Sequence, residues 1–221
     1  MFDAIAYRYD LLNHLLSGGV DFYWRRKAIS MLSDLRPQKI LDVATGTADF
    51  ALASLRLNPQ EVVGVDVAEN MLAIGREKLL RKNARDRIHL KTGEAEHLEF
   101  ADNSFDAAIV AFGARNFENL SQGLHEMQRV LRPGGRIVVL EFSRPAAFPF
   151  RQLYLFYFRR ILPLLGRAIS KDRKAYEYLP HTVMMFPEGE EFLAILREAG
   201  IRSPRQKRLT FGIATIYTGE K

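Results

Sequence analysis

Two aspartates and a cluster of small residues are the groups in this sequence best suited to hold a charged ligand. Asp42 lies at the end of an apolar, strand-like run, and Asp66 ends a second such run, VVGVD. Residues 44–48, ATGTA, follow the first run and precede an apolar-periodic segment. Small residues let the backbone approach a ligand closely, and the N–H groups at a helix start attract electron-rich atoms. The pattern predicts a strand, a tight turn and a helix that bind a nucleotide-like ligand.

The composition of the turn favours one class of nucleotide over two others. A dinucleotide site needs G-x-G-x-x-G, whereas this turn has Ala44, Gly46 and Ala48 spaced by two, with the acid Asp42 before them. The Gly-Lys-Ser/Thr of a P-loop is absent. A carboxylate here would repel a pyrophosphate but attract the sulfonium and ammonium groups of S-adenosylmethionine. We therefore predict S-adenosylmethionine as the ligand, although an α/β protein without this function can also carry a small-residue turn.

Asp66 strengthens the prediction by its spacing. It lies nineteen positions after Thr47, the distance expected for the next strand of a βαβ unit. Its carboxylate can accept hydrogen bonds from both ribose hydroxyls, each worth roughly 1.5–3 kcal/mol. The alternative is that Asp66 only caps the helix that begins near Glu69.

The elements that must position these groups follow from hydrophobic periodicity and turn residues. Two helices precede the first strand, and a right-handed, parallel, doubly wound sheet follows. An antiparallel pair of strands at the sheet edge ends the chain. The predicted strands are 39–44, 61–66, 87–91, 105–112, 136–142, 205–209 and 213–218. The predicted helices are 4–16, 22–35, 47–57, 70–82, 120–131 and 188–199, with a turn at 132–135.

Composition excludes several classes of function. The 221 residues, 48% of them hydrophobic, suffice for one domain with a full core. There is no cysteine, which excludes disulfides, thiolate metal sites and cysteine nucleophiles, and we expect no metal site. No apolar run reaches the length of a membrane span, and the N-terminus lacks the order of a signal peptide. We therefore expect a cytoplasmic protein.

The charge balance leaves two kinds of partner open. A net charge of +6 and a pI near 9.6 permit attraction to nucleic acid or to an anionic membrane. The basic residues are scattered, as at 25–27 and 81–85, and no RNA-binding motif is present, so they are interpreted as solvated helix faces and no nucleic acid is expected.

Segment 145–187 is apolar and aromatic but interrupted by arginines. It is interpreted as an amphipathic lid over an apolar substrate or against the bilayer, and alternatively as an ordinary core helix.

Six motifs make the chain specifically similar to one family. It resembles the quinone C-methyltransferases of menaquinone and ubiquinone biosynthesis over nearly its whole length. The segments YDLLN, FGARN and YEYLPHTV distinguish this family from other S-adenosylmethionine enzymes. The segment LRPGG occurs in many of those enzymes and supports only the wider group. The motifs are FDAIAYRYDLLN (2–13), LDVATGTADF (41–50), VVGVDVAENML (62–72), FDAAIVAFGARNFEN (105–119), GLHEMQRVLRPGGRIVVLEFSRP (123–145) and YEYLPHTVMMFP (176–187).

The resemblance implies a class I methyltransferase fold of the α/β class, with a seven-stranded, mostly parallel, doubly wound sheet, N-terminal helices and a helical lid insertion. We expect one domain, 1–221, made of a helical cap (1–36), a cofactor-binding core (37–144), a lid and substrate segment (145–187) and a C-terminal helix with a strand pair (188–221). The cofactor should lie at the carboxyl ends of the strands. The implied cofactor contacts are Asp42, Ala44, Gly46, Thr47, Asp66, Val67, Met71, Glu94, Ala95 and Ala111.

The resemblance also implies the reaction, C-methylation of a reduced, prenylated quinone. Demethylmenaquinol is favoured as acceptor over a benzoquinol, and an RNA methyltransferase or a non-catalytic cofactor-binding protein are the rivals. Arg115, Asn116 and Tyr9 are the expected catalytic residues, with Arg115 as the electrostatic partner of a phenolate. An ion pair of Arg115 with Glu118 or Asp10 is the structural alternative. Tyr178 and His181 are expected to line the acceptor pocket, contact with the membrane surface stays open, and the sequence leaves the oligomeric state open.

Overall fold

The computed structural model describes residues 19–145, 147–156 and 182–221. Its strands are β1 (Lys39–Val43), β2 (Glu61–Asp66), β3 (Ile88–Thr92), β4 (Phe105–Ala111), β5 (Leu131–Phe142), β6 (Arg202–Leu209) and β7 (Ala214–Glu220). Its helices are α1 (Val20–Ser30), α2 (Asp49–Ser54), α3 (Glu69–Arg81), α4 (Leu120–Val130), α5 (Phe150–Phe156) and α6 (Glu190–Glu198).

The strands form one sheet in the order β3-β2-β1-β4-β5-β7-β6. Strands β1 to β5 pair in parallel, and β7 runs antiparallel between β5 and β6. The predicted seven-stranded, mostly parallel, doubly wound sheet is therefore confirmed, as is the antiparallel pair at its edge. The chain moves outward from β1 to β3 and then returns to place β4 on the other side of β1. The carboxyl ends of β1 and β4 thus meet at the topological switch point, where this fold binds ligands.

Helices cover both faces of the sheet, because side chains alternate along each buried strand. One core joins α1, α2 and α3 to the face that carries Ile40 and Ile109. The other joins α4 and α6 to the face that carries Leu41 and Val110. By the same alternation Asp42 lies on the face of Ile40, toward α1.

Two of the predicted boundaries are wrong for reasons that the local sequence and the sheet explain. Helix α1 ends at Ser30 rather than at residue 35, and turns follow up to Leu35, because serine and aspartate favour turns and Pro37 cannot continue a helix. The predicted turn at 132–135 is part of β5, because Leu131 already pairs with Phe105. The extra residues are absorbed by a register shift before Arg136, and Gly134 adopts the positive φ of 79° that this irregularity needs.

The described part of the lid segment contains both buried and exposed aromatic side chains. Tyr154 of α5 is buried, whereas Phe148 and Phe156 are exposed. The ring of Phe150 stacks on that of Phe211 with centroids 3.8 Å apart, which attaches α5 to the turn between β6 and β7. Within the described ranges, no helix is long and apolar enough to cross a membrane. The predicted first helix and most of the lid lie outside the described residues.

Candidate active site

In the turn after β1, every second residue has a left-handed backbone conformation. Ala44, Gly46 and Ala48 have φ of 52°, 56° and 68°, the region that favours glycine and that alanine enters at a cost of about 1 kcal/mol. The spacing by two seen in the sequence is therefore the repeat of one backbone conformation. The turn approaches the end of β4 so closely that a Cβ on Gly113 would lie 2.6 Å from the Cβ of Ala44.

Asp42 is a fully buried carboxylate at the start of this turn. Its Oδ2 accepts a hydrogen bond from the hydroxyl of Thr45 at 2.6 Å, and its Oδ1 makes no hydrogen bond with the described residues. Burial raises the pKa of Asp42 from 3.8 to about 7, although the Thr45 hydroxyl, the backbone N–H of Ala51 and the nearby Arg25 charge oppose the shift. A buried oxygen that accepts no hydrogen bond is costly, which suits a site that a cationic ligand completes.

Asp66 ties the turn to the end of β2. Its Oδ2 accepts a hydrogen bond from the N–H of Gly46 at 2.8 Å, and its Oδ1 accepts one from the N–H of Ala68 at 2.9 Å. Ala68 immediately precedes α3, and no side chain caps this helix start, so the contact orders the backbone that leads into α3 without capping it. A carboxylate oxygen can accept a second hydrogen bond, and Asp66 also lines the pocket described below.

Helix α3 fixes the other side of the turn through Lys78. The Nζ of Lys78 donates hydrogen bonds to the Oγ1 of Thr47 at 2.8 Å and to the Oδ1 of Asp49 at 2.6 Å. Gly75 lets the helix come this near, because a Cβ there would lie 3.3 Å from the backbone carbon of Thr47. The turn is thus held by β2 on one side and by α3 on the other.

These residues surround a pocket of about 670 Å³ at the carboxyl ends of the strands. All ten residues predicted to contact the cofactor line it, and so does Asn116. Further residues that the sequence pattern does not indicate also line it, including Arg25, Thr45, Phe112, Glu96 and Glu118. The cofactor contacts themselves stay predictions, but one pocket joins all the residues concerned.

Arg25 corrects the interpretation of the basic residues at 25–27 as a solvated face. Its side chain is buried, with 8% of the residue exposed, and its Nη1 donates to the carboxylate of Asp21 one turn earlier. Its guanidinium lies over the ring of Phe112, 5.4 Å from the centroid. The i, i+4 pair and the helical spacing from Trp24 to Ala28 were the signals that could have placed Arg25 on the buried side.

Arg115 does not line the pocket. Its Nη1 donates to the Oε1 of Glu141 and to the carbonyl oxygen of Phe112, both at 2.6 Å. The backbone N–H of Arg115 donates to the other oxygen of Glu141 at 3.1 Å. Among the described residues, Glu141 is thus the ion-pair partner of Arg115; Asp10, one of the two partners considered in the structural alternative, lies outside the described residues.

Comparison with known proteins decides the family. The model of the ubiE/COQ5 methyltransferase family matches residues 1–221. The chain belongs to this family. A demethylmenaquinone methyltransferase of Bacteroides fragilis is 49% identical over 222 residues, which cover 100% of this chain and 91% of that protein. A ubiquinone/menaquinone biosynthesis C-methyltransferase of Geobacter sulfurreducens is 49% identical over 223 residues, covering 100% of this chain and 87% of that protein.

Solved structures agree with the fold of this ubiE/COQ5 family member. A possible histamine N-methyltransferase from Thermotoga maritima has a TM-score of 0.68 at 20% identity, covering 100% of this chain and 97% of that one. A phosphoethanolamine N-methyltransferase of Haemonchus contortus in complex with S-adenosyl-L-methionine has a TM-score of 0.61 at 16% identity. The match covers 88% of this chain and 52% of that one. The chain has the class I methyltransferase fold, and S-adenosylmethionine is its methyl donor.

The residues that line the pocket are chemically suited to bind S-adenosylmethionine. The donor bears a sulfonium and an ammonium group, and the pocket is lined by the carboxylates of Asp42 and Asp66 and by Glu94 and Glu118. The buried Oδ1 of Asp42 lacks a hydrogen bond from the described residues. Small residues in the turn leave room for the ligand. Asp66 would hold the ribose, and Ala95 and Met71 would offer apolar surface.

Three of the predicted residues of this methyltransferase lie outside the described residues: Tyr9, Tyr178 and His181. Their roles stay predictions. Of the predicted catalytic residues within the described part, Asn116 reaches the pocket and Arg115 reaches Glu141. Both lie in the short turn Ala114–Asn116 that follows β4.

Proposed function

We propose that this chain methylates a ring carbon of a reduced, prenylated quinone, with demethylmenaquinol as its acceptor. The observation that supports this best is the relative of 49% identity across the full chain, which is named a demethylmenaquinone methyltransferase. A benzoquinol is the second candidate, because the relative of equal identity is named for both ubiquinone and menaquinone biosynthesis.

The acceptor sets the demands on the site. When bound, S-adenosylmethionine supplies an electrophilic methyl group. A quinone ring is electron-poor, so the acceptor must be the quinol, whose deprotonated hydroxyl makes the neighbouring ring carbon nucleophilic. The protein therefore has to stabilise a phenolate next to the pocket and to receive the ring proton.

The turn Ala114–Asn116 offers groups for this task. Asn116 lines the pocket, and we propose that its side-chain amide donates a hydrogen bond to the ring oxygen. Arg115 keeps its charge at all relevant pH values. Since its guanidinium contacts Glu141, we propose that Arg115 fixes the turn and places positive charge behind the phenolate, rather than removing a proton itself. Tyr9 would orient the ring, and Tyr178 and His181 would line the acceptor pocket.

A peripheral contact with the bilayer would bring the prenylated acceptor to the site. Exposed apolar side chains of the lid segment and of the neighbouring turn support this proposal, namely Phe148, Phe156, Met185 and Phe211. Arg151 is exposed, lies between Phe148 and Phe156 in the sequence, and suits anionic headgroups. Flotation with vesicles of anionic and of neutral lipid tests the contact, and equal absence of binding to both would contradict it.

The function is tested with labelled S-adenosylmethionine and a panel of acceptors. The panel contains demethylmenaquinol, a benzoquinol, both in oxidised form, and RNA. We expect mass spectrometry to detect a methyl group on the reduced naphthoquinol ring and none on the oxidised forms. Methylation of RNA alone, or no methyl transfer to any acceptor, would refute the proposal.

A further inference from the structure

The loop between β3 and β4 forms one wall of the pocket. Its first residues, Glu94, Ala95 and Glu96, line the pocket, and Ala95 is part of the core below it. Strand β3 is an edge strand and lies next to β2, whose end carries Asp66. Because Asp66 is assigned to the ribose, the next group of the methyl donor outward along the sheet is the adenine. We therefore expect the adenine to lie against this loop.

The loop has little regular structure of its own. Residues 93–104 contain one isolated bridge, between Glu94 and His97, and no strand or helix. Leu98, near the middle of the loop, is nevertheless only 3% exposed. The backbone N–H and C=O groups of a buried segment need hydrogen-bond partners, and here they have to come from another element.

Two charged side chains of α4 are these partners. The Oε2 of Glu126 accepts a hydrogen bond from the N–H of Leu98 at 2.9 Å. The guanidinium of Arg129 donates to the carbonyl oxygens of Leu98 and Phe100, both at 2.8 Å. Arg129 also donates two hydrogen bonds to Glu126, at 2.7 and 2.8 Å, and so holds the pKa of that carboxyl below its usual range. An ion pair of one helix thus binds both backbone groups of Leu98.

The contacts with the loop run along one side of α4. At the start of the helix, the N–H of Asn119 donates to the Oε1 of Glu96 at 3.1 Å, and the Nε2 of Gln122 lies 3.5 Å from the carbonyl oxygen of Glu96. Toward its end, Arg129 reaches as far as Asp102. The contacting positions have the spacing of one helical face, namely 119, 122, 126 and 129. Since Leu124 of the same helix is fully buried in the core, a fixed element holds the loop.

We propose that Glu126 and Arg129 are positioning residues for the methyl donor, which hold loop 93–102 in the shape that receives the adenine. Neither side chain is among the described residues that line the pocket, so both act through the loop. A loop that is ordered before the ligand arrives loses little conformational entropy on binding, which favours affinity. The inference concerns the methyl donor and does not depend on the quinol acceptor proposed above.

Replacing Arg129 tests the proposal by calorimetry with S-adenosylhomocysteine. Arg129→Met removes the donors to the loop, and we expect about 10- to 100-fold weaker binding with a more unfavourable entropy, because the ligand then has to order the loop. Arg129→Lys should give a smaller loss, since an ammonium group replaces only some of the five donors of a guanidinium. Arg197→Met is the matched control, because this arginine of α6 pairs with Glu190 of its own helix. The control should leave the affinity unchanged.

Hydrogen exchange separates positioning from a general loss of stability. In Arg129→Met, the amides of residues 96–102 should exchange at least about tenfold faster than in the wild-type protein, and should become protected again when S-adenosylhomocysteine binds. The amides of β4 and β5 should keep their protection. Faster exchange throughout the chain would show that Arg129 only stabilises the fold and would overturn the proposal, and so would an unchanged affinity.

Glu126→Gln and the wild-type protein decide the matter if Arg129→Met does not fold. The glutamine oxygen can still accept from Leu98, but Arg129 loses its charged partner, so the affinity should fall by about 3- to 10-fold. No loss in this variant would contradict the proposal. In the wild-type protein the amide of Leu98 should be protected without ligand. If it becomes protected only in the complex, α4 does not hold the loop in advance and the proposal is wrong.

Discussion

The Nη1 of Arg115 lies 2.6 Å from the Oε1 of Glu141, and the two side chains are 3% and 1% exposed. The pair joins the turn after β4 to β5 and so fixes the wall of the pocket that carries Asn116. Removing one partner of a buried ion pair leaves the other charge buried without its counter-ion. We expect Glu141→Ala to lower the free energy of unfolding by about 3–5 kcal/mol, measured by urea denaturation.

The pair of Arg129 with Asp102 provides the control for Glu141→Ala. Its N–O distance is also 2.6 Å, but the side chain of Asp102 is 66% exposed. Since water screens exposed pairs, Asp102→Ala should cost no more than about 1 kcal/mol. Similar losses in the two variants would contradict the importance of burial.

Replacing Arg115 tests its part in the reaction. Because Arg115 lies outside the lining of the cofactor pocket, Arg115→Ala should lower kcat by tenfold or more, about 1.4 kcal/mol, and leave the Kd for the cofactor nearly unchanged. Turnover with demethylmenaquinol and calorimetry with S-adenosylhomocysteine give the two values. Parallel losses in kcat and in cofactor affinity would point to a structural role alone.

Asp66→Ala should weaken cofactor binding by about 10- to 100-fold, since one or two charge-assisted hydrogen bonds to the ribose are lost. The carboxylate also holds the N–H of Gly46, so part of the loss could come from the turn. A cofactor analogue without the ribose hydroxyls separates the two contributions, because the effect of the variant should then largely disappear. Asp86→Ala, at an exposed aspartate, is the control. An undiminished effect with the analogue would refute the ribose contact.

The raised pKa of Asp42 predicts how stability depends on pH. The folded chain binds this proton with a pKa of about 7 and the unfolded chain with the ordinary 3.8. Below pH 3.8 the carboxyl group is protonated in both states and leaves the free energy of unfolding unchanged. As the pH rises from 3.8 through 7, the free energy of unfolding falls by up to about 4 kcal/mol. Asp42→Asn should remove this loss. The free energy of unfolding, measured with urea between pH 5 and 8, should therefore depend less on pH in the variant than in the wild-type protein. The same pH dependence in both proteins would contradict the assignment.

Gly113 tests the close approach of β4 to the turn. A Cβ at this position would lie 2.6 Å from the Cβ of Ala44, so Gly113→Ala should lower stability by about 1–3 kcal/mol and weaken cofactor binding. Ala44→Gly removes the opposing atom and also relieves the left-handed backbone at Ala44, a gain of about 1 kcal/mol. The double variant should therefore recover stability in thermal unfolding. If the double variant does not regain stability, the loss in Gly113→Ala does not come from the contact with Ala44.

The sequence alone determined the elements of the core and the groups on its strand ends. Buried apolar strands with an acid near the end, as in β1 and β2, are local patterns, and so is the turn with small residues at every second position. These patterns by themselves assign Asp42, Gly46 and Asp66 to the site. The same local rules failed at 132–135, where pairing with β4 extends β5 through a segment that by itself favours a turn.

Only the tertiary structure decided which charges meet. The basic neighbours of Arg25 in the sequence predict a solvated position for it, but α1 packs on the sheet face toward which Asp42 points. Arg115 meets Glu141 because β4 and β5 are adjacent in the sheet, a relation that no spacing along the chain expresses. Hydrophobic periodicity shows which side of an element is buried. Which partner a buried charge finds there depends on the order of the strands, and that order is a property of the folded chain.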